Sequence, residues 1–589
     1  MKRARVLVAL VLAGLVVACS ARVPSGSVSS GPLSLQVVAH QDDDLLFMNP
    51  DLGDDIRSGR PVVTVYLTSG ESNAKDVPAY IAQRQAGVRA AYAAMAGVAD
   101  DWRGSALRID ADHSVEQYEL VARPEVKLIF VGLPEDHGGQ HPLRRLWADR
   151  SESVRATTLV PAGAKVPRAY RYTRYALLDL LQTLMTRFQP TVIRTQDSNP
   201  DTAYPHWQPF YDHPDHLMTA KFTGQAALLY RRSARQPVFV QVNYRDYNVE
   251  QVPVNLDEAQ QQDKLNDFAK YRVHDPMVGN QQSYEDWPRR MYHRWPRGVS
   301  WVGRDEQGAL RAFAVRGGQV TSWTRRDSTW ESRDLDAPGG PLAPALSVAT
   351  GRDGLHVCGR RIDQDTTTCW RDGTWTDLGS PSPATDVGAP FVVAEPNGPV
   401  SVFVRTSGGG VSRKSQGPDG SWGDWTDLGG TGLLDGLAVL DRPDGAEVFA
   451  ATTTGIRRWH NGWDQTFPSA IPAAPPVVLG DTLVYRVAQT GEVAISKRGP
   501  AGWTPPTLIP GPGGSGQVAA VDRNGLHLVG RDAAGKVTTA RQLPTGAFTP
   551  WTARPTDTVD YPTAIADGAN VLALSIGPDG QLATDPLTD

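Results

Sequence analysis

The sequence predicts two folded units in series. The first is an α/β domain built on a parallel sheet over residues 33–296, and the second is an all-β propeller of six or seven blades, seven favoured, over residues 297–589. Three observations predict this. Up to about residue 296, apolar strand-like runs alternate with amphipathic helical segments, the pattern of a parallel sheet covered on both faces. Eleven of the 16 tryptophans fall after residue 296, and those that end successive units recur every 38–50 residues, the loose period of propeller blades. DG, NG, GG and PG turns separate the short β-type runs there, and the 57 glycines and 45 prolines mark a turn-rich chain. A pair of β-sandwiches is the alternative for this second half.

The first twenty residues read as an address. Lys2, Arg3 and Arg5 precede the apolar run 6–17, a length that fits a signal-peptide core and is too short to span a bilayer as a helix. The run ends in Val16-Val17-Ala18-Cys19, which resembles the bacterial lipobox, whose cysteine carries the lipid; an ordinary signal peptide that happens to contain a cysteine is the alternative. Cys19 is thus the expected lipidation site, residues 20–32 a flexible tether, and the location extracytoplasmic, anchored to the membrane by acyl chains.

Strands are expected at 33–39, 61–68, 126–133 and 191–195, and helices at 80–96, 172–188 and 217–232. In such sheets ligands bind beyond the carboxyl ends of the strands. In the second half each unit reads as a four-stranded blade, with WTDLG repeated at 375–379 and 425–429, and a seventh unit from residue 563 lacks its last strand. Its tryptophans read as blade-core residues, with a sugar-stacking platform as the alternative. Cys358 and Cys369 lie on neighbouring strands of one blade and are expected to form a disulfide in an oxidising compartment; two buried free thiols are the alternative.

Charge narrows the function classes. With 59 basic and 64 acidic residues the net charge is −5, which argues against nucleic acid as a partner. A hydrophobic content of 40% argues against disorder, and three cysteines against a disulfide framework.

The chemistry sits where the α/β pattern directs attention. The strand 33–39 runs into His40-Gln41-Asp42-Asp43-Asp44, and Tyr211-Asp212-His213-Pro214-Asp215-His216 opens the helix near Leu217. A histidine and three carboxylates directly after a buried strand are costly without a ligand. Imidazole and carboxylate side chains from two such segments suit a shared Zn²⁺ site with three protein ligands and an open fourth position.

These two segments resemble the motifs of the PIG-L/LmbE-like N-deacetylases: AHQDDD at 39–44 is similar to that family's AHPDDE signature, and HPDH at 213–216 matches its second motif. Weaker matches are Thr68-Ser69-Gly70-Glu71, the helix led by Arg84, and Leu133-Pro134-Glu135-Asp136. The resemblance implies a Rossmann-like fold and a zinc-dependent hydrolase, one Zn²⁺ per chain, that removes N-acetyl groups from N-acetylglucosamine-type amino sugars. It implies His40, Asp43 and His216 as metal ligands, Asp42 as general base, His213 as oxyanion-stabilising or acid residue, and Tyr211 as a catalytic aid. Glu71, Arg84 and Asp197 are the candidate substrate contacts. Gln41, Asp44 and Gly87 depart from the family pattern, and Asp44, one methylene shorter than the usual glutamate, is expected to alter a contact that orients a ligand. The other readings are a glycan-binding surface lipoprotein with weak or lost activity and a metal-dependent phosphoesterase. The halves are expected to be separable, with catalysis in 33–296 and glycan targeting in the propeller. The sequence does not set the sugar, the propeller's ligand or the oligomeric state.

Overall fold

The computed structural model describes residues 31–137, 139–200, 212–279, 281–381, 387–394 and 398–587. Cys19 and Tyr211 lie outside the described residues.

The first unit is one eight-stranded sheet. Its strands are β1 (Ser34–Val38), β2 (Val62–Thr68), β3 (Trp102–Arg108), β4 (Ser114–Leu120), β5 (Arg123–Leu133), then, after the separate short pair β6 (Ala156–Thr157) and β7 (Arg171–Tyr172), β8 (Val192–Thr195), β9 (Val240–Tyr244) and β10 (His293–Arg294). The order is β10-β9-β8-β1-β2-β5-β4-β3. The five central strands, β9 to β5, run parallel, while β10 and the β3–β4 hairpin add antiparallel edges. β1 and β2 are buried at every position, as expected of strands covered on both faces.

Helices supply the cover: α1 (Asp51–Arg57), α2 (Val77–Met95), α3 (Pro142–Ala148), α4 (Arg174–Phe188), α5 (Pro214–Arg231) and α6 (Glu258–Arg272). Leu35 and Val37 face a core with Leu177, Leu181 and Phe222 from α4 and α5. Val38 faces the opposite core with Val88 and Tyr92 of α2 and Phe268 of α6.

The second unit is a seven-bladed propeller, at 302–334, 342–379, 391–427, 437–459, 477–509, 519–557 and 563–587. The first strands of successive blades touch in a ring, and the ring closes between blades 7 and 1. Blade 7 keeps three strands, all from its own segment, and among the described residues no N-terminal strand completes it. Side chains make the closure: Thr563 Oγ1 donates to Val299 O at 2.6 Å, Arg304 to Ala566 O at 2.7 Å, and Arg325 pairs with Asp567.

The periodic tryptophans are inter-blade staples. The indole N–H of Trp375 donates to Asp336 O (2.7 Å), Trp425 to Leu378 O (2.9 Å), Trp463 to Leu428 O (2.9 Å) and Trp551 to Pro510 O (2.7 Å), each reaching the preceding blade's outer segment. Blade 2 carries the bond between Cys358 and Cys369, which face each other directly in register. Thiol titration of unfolded, non-reduced protein is expected to find neither of these cysteines free. Reduction is expected to cost about 3 kcal/mol, from the loop entropy that an 11-residue separation removes from the unfolded chain.

The halves share an interface. One hydrophobic core runs from Val38 and Met48 through Tyr244 and Met291 into Trp301, Leu310, Trp323, Leu434 and Ile576 of the propeller. The contact face of the propeller is built by repetition. Five blades carry a buried arginine at or next to the end of their second strand, namely Arg316, Arg360, Arg405, Arg486 and Arg531. Among the described residues, three of them cross to the α/β domain: Arg486 donates to Asn255 O at 3.3 Å, Arg531 pairs with Asp51 at 2.6 Å, and Arg360 lies over the Trp295 ring at 4.8 Å.

A candidate metal centre at the strand ends

β1 ends at Val38 and delivers His40, Asp42 and Asp43 beyond the sheet's carboxyl edge. A single π-turn, Asp44–Met48, follows immediately, a local helix distortion common at functional sites. His213 caps the N-terminus of α5, and His216 sits in its first turn. Three turn-forming contacts fix this geometry. His40 N–H donates to Asp43 Oδ2 (2.6 Å), Gln41 Nε2 to Thr68 O (3.0 Å), and Asp215 N–H to His213 Nδ1 (3.2 Å).

Three donor groups converge. His40 Nδ1 lies 3.1 Å from His216 Nε2, His216 Nε2 lies 3.1 Å from Asp43 Oδ1, and His40 Nδ1 lies 3.4 Å from Asp43 Oδ2. A tetrahedral ion with bonds of about 2.0–2.1 Å has ligand–ligand edges of roughly 3.3 Å. The three side chains approach that spacing, with Asp43 presenting Oδ1 to His216 and Oδ2 to His40. His40, His213 and His216 also form a close group, as do Asp212, His216 and Asp246.

The electrostatics mark the spot for a cation. Burial opposes charge on His40, but Asp43 and Asp215 overcome it and raise its pKa to about 10. Burial likewise opposes charge on His216, yet Asp43, Asp212 and Asp246 push it well above the usual imidazole range. Asp43 is held well below the carboxylate range by the same two histidines, against burial.

Asp42 does not join the three donors. Its Oδ1 accepts from Arg84 at 2.7 Å, and burial raises its pKa to about 6 although Arg84 opposes the shift. A carboxylate poised there can accept a proton near neutrality. His213 stands beside the cluster, its ring 4.6 Å from that of His40. Burial, then His40 and His216, lower its pKa to about 3. Because Nδ1 accepts from Asp215 N–H, the neutral ring carries its proton on Nε2, on the side of Glu135.

The three candidate substrate contacts are engaged elsewhere. Arg84 is a buried clamp: besides Asp42 it holds Gly70 O (2.8 Å), Tyr271 Oη (2.6 Å) and Asp275 (3.1 Å). Gly70, at φ +58°, is required here, because a Cβ would lie 2.3 Å from both Arg84 and Gln41. Glu71 accepts from Glu135 N–H at 2.9 and 3.0 Å and so ties down the 133–136 loop. Asp197 is fully buried and pairs with Arg294 at 3.2 Å. The departures from the motif also find their reasons. Asp44 points away from the donors, accepts from the hydroxyls of Tyr66 (2.8 Å) and Tyr92, and has its pKa raised by burial to about 7. Gly87 lets α6 close on α2, since a Cβ there would lie 2.8 Å from the Tyr271 ring.

Several contributors were not singled out from the sequence. Asp212 accepts from His216 Nδ1 at 2.7 Å and so aims Nε2 at the cluster. Gln196 donates to Asp43 at 3.1 Å while accepting from Ala39 N–H at 2.8 Å, which ties β8 to the motif loop. Asp215 lies 3.5 Å from His40 Nε2 and accepts from Asp136 N–H at 2.7 Å. Asp212 and Asp215 sit inside the 211–216 segment and were legible there. Gln196 and Asp246 carry no local signal and become neighbours only through the sheet.

Comparison with known proteins agrees with this placement. Residues 35–227 match the family model described as PIG-L: GlcNAc-PI de-N-acetylase. No curated protein matches the chain. Among solved structures, the BP39L lectin from Burkholderia pseudomallei is 14% identical, covering 50% of this chain and 97% of its own, at a TM-score of 0.40. AofleA from Arthrobotrys oligospora is 13% identical (45% and 88% covered, TM-score 0.33), and the six-bladed Aleuria aurantia lectin is 14% identical (45% and 99%, TM-score 0.30). The seven-bladed ring rests on the strand topology described above and not on these likenesses.

Proposed function

We propose, from the de-N-acetylase family match over residues 35–227 and the three converging donors, that the protein is a zinc-dependent hydrolase removing N-acetyl groups from N-acetylglucosamine-type amino sugars or cell-envelope glycans. The observation that carries this reading is the set of 3.1–3.4 Å separations among His40, Asp43 and His216. His40, Asp43 and His216 would hold the zinc, which when bound would supply a water nucleophile at neutral pH and polarise an amide carbonyl.

The chain's own residues do the rest. Asp42, held by Arg84, takes the proton from the attacking water. His213 donates its Nε2 hydrogen bond to the oxygen that becomes negative as the carbonyl carbon turns tetrahedral, an interaction worth about 3–4 kcal/mol per donor at comparable sites. The amine must leave protonated, and Asp42, with its raised pKa, returns the proton it took. Asp212 and Gln196 keep His216 and Asp43 in place throughout. The metal-loaded full-length chain is expected to release acetate from N,N′-diacetylchitobiose and to stop on chelation. Absence of release from this and related N-acetyl glycosides by metal-loaded protein would contradict the reading.

Tethering through lipidated Cys19 on the outer membrane face belongs to the same proposal and is supported by the 2–19 pattern. Cys19→Ser is expected to move the chain from the membrane to the soluble fraction. Glycan targeting by the propeller is proposed for the face away from the α/β domain, where Arg304, Asp305, Thr350 and Asp441 ring the channel mouth.

A further inference from the structure

Between α5 and the first two blades lies a cavity of about 300 Å³ that none of the roles above uses. Its size and its place at a domain interface are those of small-molecule sites. The lining includes the indoles of Trp147 and Trp295, each with guanidinium groups over its ring (Arg150 and Arg174; Arg294 and Arg360), and the amides of Gln225 and Gln241. Indole surface beside amide donors and acceptors suits a sugar ring, which offers an apolar face and a rim of hydroxyls.

Two further features say what the cavity is kept for. Gly224 lines it in mid-helix, where glycine costs about 1 kcal/mol relative to alanine. Nothing packs against it: outside its own helix, the nearest atom to a Cβ would be Gln241 Nε2 at 4.0 Å. The other two glycines in the α/β domain's helices, Gly53 and Gly87, have neighbours at 2.7–2.8 Å. Gly224 thus serves neither close packing nor an unusual backbone angle, and its effect is to keep the floor open. The second feature is Lys221, one turn earlier on the same face. Burial lowers its pKa, Asp365 only partly offsets this, and among the described residues its ammonium makes no hydrogen bond or ion pair. The lining carboxylate Asp363 is already paired with Arg361 at 2.9 Å.

We propose that this interdomain cavity is a binding subsite for an anionic sugar unit, one bearing a carboxylate or a phosphate, with Lys221 as its counter-ion and Trp147 and Trp295 as its apolar wall. Lys221 lies five residues after His216 on α5, about 7.5 Å along the axis and about 140° round it, so the cavity and the metal centre share one helix, and the connection that lets one oligosaccharide reach both is part of the proposal. This rests on the proposed function only for that connection, because occupancy of the cavity is a binding event.

The test is calorimetric titration of the full chain, with chelator present to stop turnover. The probes are N-acetylglucosamine 6-phosphate, the glucuronyl-N-acetylglucosamine disaccharide and neutral N,N′-diacetylchitobiose. At least one anionic probe is expected to bind tenfold or more tightly than the neutral one, and which of the two does so tells phosphate from carboxylate. Lys221→Gln is expected to erase that preference. Gly224→Leu, which fills the floor, is expected to weaken all three at least tenfold with Tm held or raised. Equal affinity for charged and neutral probes, or a preference that survives Lys221→Gln, overturns the inference, and so does unchanged affinity in a folded Gly224→Leu. Acetate release by the metal-loaded wild type is read separately: release without cavity binding overturns the subsite and leaves the proposed function, and binding without release does the reverse.

Discussion

Asp42→Asn is expected to lower turnover by 10²- to 10⁴-fold while leaving the bound metal in place, the usual contribution of a positioned general base. The geometry separates these two outcomes. Asp42 is adjacent in sequence to a donor, yet its carboxylate is held by Arg84 at 2.7 Å and takes no part in the 3.1–3.4 Å cluster. An asparagine keeps an oxygen for Arg84 and loses the ability to take a proton. Metal analysis and acetate release on the same preparation check both halves of the prediction. Loss of metal in Asp42→Asn would place this residue among the ligands instead, and near wild-type turnover would remove it from the mechanism.

The second large effect is on stability and crosses the domain boundary. Asp51 accepts from Arg531 (2.6 Å), Tyr244 Oη (2.6 Å) and His293 Nε2 (3.0 Å), all of them buried. Asp51→Ala strands Arg531 in the interface, and breaking such a pair on one side costs about 3–5 kcal/mol. A drop of that size in urea-unfolding stability is expected, whereas a change under 1 kcal/mol would show that water reaches the pair. The same carboxylate makes stability pH-dependent. Arg531 and His293 hold its pKa far below the ordinary value of about 4, against burial. A carboxylate depressed on folding contributes stability that is present above that unfolded value and lost progressively as the pH falls below it. The wild type is therefore expected to lose stability more steeply than Asp51→Ala below about pH 4.

The parts of this protein that were legible in its sequence are those encoded locally. The strands β1, β2 and β5 carry apolar-rich runs, and the blade period is marked by tryptophans whose indole N–H groups bind the preceding blade. His40, Asp43 and His216 were singled out because two short segments, at a strand end and a helix start, resemble a family's paired motifs, and the structure brings the three within 3.1–3.4 Å of one another. What was missed is encoded by long-range packing. The helix α6 is highly polar, with Phe268 and Tyr271 as its buried aromatics, so its pattern gave no sign of the helix that brings Tyr271 to Arg84. In the β3–β4 hairpin, β3 is largely exposed and β4 buries Val115, Tyr118 and Leu120 without a continuous apolar run.

The partners of Glu71, Arg84 and Asp197 were hidden in the same way: they are Glu135 N–H, Asp42 and Arg294, brought together only by the fold. The shared interface was hidden for a related reason. The composition changes sharply near residue 297, but the buried arginines at or next to the ends of the second strands, and the core shared through Trp301 and Leu310, join what composition divides.

The central claim is that His40, Asp43 and His216 hold one divalent metal. Metal analysis of the full-length chain, wild type beside a folded His216→Ala variant, tests it most directly. The account predicts about one equivalent of zinc in the wild type and its loss in the variant, because removing one of three donors leaves too few to hold the ion. A wild type that takes up no divalent metal, or a variant that keeps full occupancy, would contradict it.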